Sequence, residues 1–79
     1  MTPITPKMAA HVLHHFGSGG YPAGSFTAGL IALIARADPQ NQAKLGLGFP
    51  GYVHAVYIAQ NRETGISELR AIAAQERLT

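Results

Sequence analysis

Three histidines, His11, His14 and His15, stand at i, i+3 and i+4. Two imidazoles four residues apart on a helix can clamp a metal ion. No carboxylate lies near them in sequence, and His11-Val12-Leu13-His14-His15 lacks the glutamate of a zinc-protease helix. A solvated polar face on an amphipathic helix accounts for them more simply, so no metal or other cofactor is expected. Gly17-Ser18-Gly19-Gly20-Tyr21-Pro22-Ala23-Gly24-Ser25 is glycine-rich and precedes a helix start, where backbone N–H groups can cradle phosphate. It lacks the Lys-Ser/Thr ending of a nucleotide-binding loop, and no strand leads into it. Its plainer role is a connection that needs positive φ and close helix approach. His54 is a titratable group on a mostly apolar stretch, read as a partly exposed or hydrogen-bonded histidine rather than an acid or base. With no cysteine, no paired carboxylates and no Ser-His-acid spacing, enzyme function is not expected.

The elements that position these residues are marked by proline and glycine. Thr5-Pro6 pairs a good N-cap with proline at the first helical position, and predicts a helix to about Phe16 stopped by Gly17. A second helix starts between Pro22 and Ser25 and reaches about Ala37. Asp38-Pro39 opens a short third, from Pro39 to about Leu45, closed by Gly46. Gly48-Phe49-Pro50 starts a fourth that runs to Gln60 or Asn61. Thr64 caps a fifth that reaches about Arg77. No stretch sustains strand alternation. The expected fold is all-α: one helical domain over residues 1–79, a compact bundle of four main helices plus one short one, with residues 1–4 frayed. The fourth helix is apolar nearly all round and is the expected centre. Phe16, Phe26, Leu30, Leu33, Ile34, Leu45, Val53, Val56, Tyr57, Leu69 and Ile72 form the expected core. His11, His14 and His15 are placed outside it.

Charge is scarce in this chain. Asp, Glu, Lys and Arg make up 13% of 79 residues, six basic against four acidic; about 25% is ordinary. None lies between Met8 and Ala35, nor between Leu45 and Asn61. Short helices in so small a domain cannot cover one another completely, so part of these uncharged stretches must face outward. A face of small and aromatic residues suits self-association or a protein partner. Gly29, Ala32 and Arg36 on the back of the second helix, with Tyr21 and Tyr52, are the candidate interface, and a homodimer is the preferred form. The runner-up is a helix-turn-helix-like DNA-binding module: Gln40, Asn41 and Lys44 on the third helix can contact bases or phosphates, with Arg36 as a further phosphate anchor. Three or so cations are few for that task, and Asp38 sits at the entry point. The start of the chain has no basic segment leading into an apolar run, and the longest such run, Ala28 to Ala35, is too short for a bilayer. The expectation is a cytoplasmic protein without a membrane partner.

The string from Gly17 to Thr27, followed by Leu30-Ile31, Ala37-Asp38-Pro39 and Gly48-Phe49-Pro50, resembles small proteins of unknown function from actinobacterial phages and prophages. The resemblance spans roughly residues 12 to 72 and rests on turn, cap and helix-core positions. It carries no catalytic residues. It implies a phage accessory product in the host cytoplasm that binds an unidentified host protein and inhibits a host process.

Overall fold

The computed structural model describes residues 3–78, the last two (Arg77 and Leu78) by backbone alone. Among the described residues there are five α-helices and no strand. They are α1 (Pro6–His15), α2 (Ser25–Arg36), α3 (Pro39–Gly48), α4 (Pro50–Asn61) and α5 (Gly65–Ala74), followed by one 3₁₀ turn, Gln75–Leu78. The fold is a small all-α bundle. No helix in it is long and apolar enough to cross a membrane.

The helix starts follow from local chemistry. The Thr5 hydroxyl accepts the Met8 N–H at 3.2 Å, and the Asp38 carboxylate accepts the Asn41 N–H at 2.8 Å. Each satisfies one N–H that a first turn leaves unpaired. At α2 the helix starts at the end of the expected range. Gly24 is the N-cap and Ser25 the first helical residue, with no side-chain cap. At α3 the glycine stop fails: the helix continues through Gly46 to Gly48. Glycine weakens a helix interior by only about 1 kcal/mol. Pro50, by contrast, disfavours helical backbone at the residue before it. Phe49 (φ −133°, ψ 57°) therefore both ends α3 and precedes α4. Thr64 makes no cap bond; its hydroxyl donates to Glu68 at 2.9 Å instead, and Arg62 pairs with the same carboxylate at 2.8 Å. These two contacts, the Thr64 bond foremost, hold the Glu68 carboxyl below its ordinary range.

Two glycines permit the tight packing. Gly20 has φ +69° and lies so close to α1 that a side chain there would run into the Ala10 carbonyl. A Cβ on Gly65 would strike the Ile58 carbonyl, so the start of α5 sits directly on α4.

The core joins Ala9, Val12 and Leu13 of α1, Leu30, Ile31 and Ile34 of α2, Ala55, Val56 and Ile58 of α4, and Leu69 of α5. Helix α4 touches all four other helices, and α1 touches α2, α4, α5 and the 3₁₀ turn. Two helices therefore share the centre. Phe16, Leu45, Val53 and Ile72 pack half-buried around it. Met1 and Thr2, expected to fray, lie outside the described residues; Ile4 packs half-buried against the core.

Three expected core residues are not in it. Phe26 is 72% exposed, Tyr57 49% and Leu33 42%. On α2 the apolar arc is wider than the surface available to cover it. The helix turns Ile31 inward with Leu30 and Ile34, and that rotation carries Phe26 and Leu33 to the edge. On α4 the inward stripe is Gly51, Ala55 and Ile58 with Val56, and Tyr57 falls outside it. His11 departs in the other direction. Unlike His14 and His15, it does not lie on an outer face: Ala9 through Leu13 are all buried, because α2, α4 and α5 cover α1 from several sides.

Candidate functional site

The surface around α3 is unlike the rest of the molecule. No residue of α3 is buried. Five large apolar side chains at or beside it are exposed: Phe26, Leu33, Leu47, Phe49 and Tyr57. Leu47 is 89% exposed. Phe26 and Phe49 stand against each other with ring centres 6.2 Å apart. Helix α3 forms a ridge between two grooves. On its α2 side, Leu33, Arg36, Ala37, Asp38, Asn41, Lys44 and Leu45 line a groove of about 540 Å³. On its α4 side a second, of about 480 Å³, runs past Leu47, Pro50, Val53, His54 and Tyr57. Besides Leu45, which packs half-buried against the core, polar contacts hold α3 in place. The Gln42 side-chain amide donates to the Ile34 carbonyl of α2 at 3.0 Å and to the Gln60 side-chain carbonyl of α4 at 3.4 Å, while Gln60 ties α4 to α2 through the Ala35 carbonyl.

A second, polar cluster surrounds the buried His11. His11 Nδ1 shares a hydrogen bond with the Tyr52 hydroxyl at 2.9 Å, and Tyr21 meets the same imidazole edge-on at 5.3 Å. Tyr21 in turn donates to Glu76 at 3.2 Å, and Arg70 donates twice to the Ser18 carbonyl. Burial, aided by the charge of Lys7 and opposed by Glu76, pushes the His11 imidazole below its ordinary value of 6.5. Burial likewise raises the Tyr52 hydroxyl. The cluster is a buttress between α1, the glycine loop, α4 and the 3₁₀ turn. Among the described residues, no three His, Cys, Asp or Glu side chains come together as metal ligands would.

The candidate interface residues fall into two groups. Gly29, Ala32 and Arg36 are exposed along the outward side of α2. Tyr21 and Tyr52 belong to the His11 cluster, where Tyr52 is half-buried and committed to its hydrogen bond. Arg36, Gln40, Asn41 and Lys44, nominated for nucleic acid, are all exposed on α2 and α3. Leu47 and Phe49, which sequence reasoning did not nominate, carry a visible signal in hindsight: large apolar residues in a glycine- and proline-punctuated stretch with no apolar periodicity to bury them. No family model matches the chain, and neither does any curated protein or solved structure.

Proposed function

We propose that the chain is a non-enzymatic interaction protein that pairs with a second copy of itself through the apolar surface around α3. The observation that carries this reading is the exposure of Phe26, Leu33, Leu47, Phe49 and Tyr57 around one helix. Together they expose on the order of 600 Å² of side chain, at the upper end of what monomeric proteins leave in water. Two copies would cover roughly 1,200 Å² between them, where stable interfaces begin. The small residues Gly29 and Ala32 beside them on α2 let a partner helix approach closely. Following the resemblance to phage accessory proteins, the setting is a bacterial host's cytoplasm and the further partner a host protein, whose capture inhibits growth.

Sedimentation equilibrium tests the pairing. The expected result is a dimer at tens of micromolar and a monomer for Leu47→Glu, with the melting temperature of that monomer little changed. A wild-type chain that stays monomeric at millimolar concentration overturns it. Expression in an actinobacterial host tests the setting, and unchanged growth and morphology would count against inhibition.

A further inference from the structure

The α2–α3 groove combines an apolar floor with two cations that have nothing to pair with. Leu33, Ala37 and Leu45 supply the floor; Arg36 comes from the last turn of α2 and Lys44 from α3. Neither cation makes an ion pair or a hydrogen bond among the described residues. The one acid in the groove, Asp38, already accepts the Asn41 N–H that it caps. The groove therefore carries a single net positive charge over apolar side chains. Its volume, about 540 Å³, lies within the usual span of small-ligand sites, roughly 300–1,000 Å³.

We propose that this groove binds an apolar monocarboxylate. The carboxylate sits between Arg36 and Lys44, where the planar guanidinium can engage both of its oxygens. The apolar body lies along Leu33, Ala37 and Leu45 and removes them from water. Asp38 sets the charge limit: it repels a polyanion such as a nucleic-acid backbone, while one carboxylate is matched by the two cations. Two sources present this chemistry, a medium-chain fatty acid and the free C-terminus of a protein ending in leucine or phenylalanine. The proposal extends the interaction reading but does not rest on self-association.

The test is a backbone-amide NMR titration of the full chain with decanoate, and with an acetylated tripeptide ending in leucine with a free carboxylate. Decanol and the amidated tripeptide serve as uncharged counterparts. Shifts confined to Leu33, Arg36, Ala37, Lys44 and Leu45 are expected with at least one of the two acids. The uncharged counterpart should bind at least tenfold more weakly. Arg36→Gln and Lys44→Gln should each weaken the acid at least tenfold while leaving the remaining spectrum in place. Which acid binds identifies the source. No shift at the groove with either acid overturns the proposal. So does equal binding of the uncharged counterpart, or a short DNA duplex that moves these amides when the acids do not. Because Leu33 also belongs to the surface proposed for self-pairing, the titration is run on the Leu47→Glu variant as well: a monomer that binds decanoate leaves the groove standing, and a monomeric variant indifferent to both acids removes the groove alone.

Discussion

Helices α1 and α3 have the same length, ten residues, and begin the same way, with a hydroxyl or carboxylate cap followed by proline. They meet opposite fates. Five consecutive residues of α1 are buried, enough to enclose a histidine, and not one residue of α3 is. The cap and the proline decide that a helix forms and where. Only the apolar content of the following turns decides whether neighbours close around it. Met8, Ala9, Val12 and Leu13 give α1 something for α4 and α5 to grip. Pro39-Gln40-Asn41-Gln42-Ala43-Lys44 gives α3 nothing until Leu45, and its remaining leucine points into solvent.

The sharpest test of this contrast removes one leucine from each region. Leu13→Ala should cost about 2–5 kcal/mol, the range for emptying a packed core site. Leu47→Ala should change stability by less than about 0.5 kcal/mol. Both are read by denaturant unfolding at concentrations low enough to keep the chain monomeric. Comparable losses would mean that α3 belongs to the same cooperative core as α1.

The next effect concerns the enclosed histidine. Tyr52→Phe leaves a buried ring nitrogen without its partner and should cost about 1–3 kcal/mol. The pH dependence has a definite sign. Burial lowers the folded-state pKa of His11 below 6.5, so the unfolded chain takes up its proton first as pH falls. The stability held by the neutral imidazole is intact above 6.5, declines as pH drops through that value, and is fully lost below the folded-state pKa. Melting temperatures from pH 8 to 5 should fall more steeply for the wild type than for His11→Gln. Parallel curves would show that His11 is not enclosed as described.

The smallest effect is the most informative about cooperativity. Thr5→Ala and Asp38→Ala each remove one cap bond, worth about 1 kcal/mol. The first should lower global stability. The second should speed amide hydrogen exchange within α3 and leave α1 unchanged. Uniform acceleration in both variants would erase the distinction between the two helices.

These contrasts also show what could be read from residue order. The five helices were legible because Thr5-Pro6, Asp38-Pro39 and Phe49-Pro50 act through the backbone of their own turn. The positive φ of Gly17, Gly19 and Gly20 is likewise a local property. Facing was less legible, because it is a competition between helices. The arc from Phe26 to Ile34 is apolar over more than one face, and only packing selects Ile31 over Leu33. His11 was illegible for the same reason. Nothing within α1 reveals that Tyr52, forty-one positions later, supplies a hydroxyl for its ring. The apolar surface around α3 was foreseen in kind, from the missing charges, but the residues that form it were not.

The clasp between Arg70 and Ser18, with the one between Tyr21 and Glu76, spans more than fifty positions each. Fastening the glycine bend therefore means closing a long loop of chain, and the entropy of that closure must be met by the packing it completes.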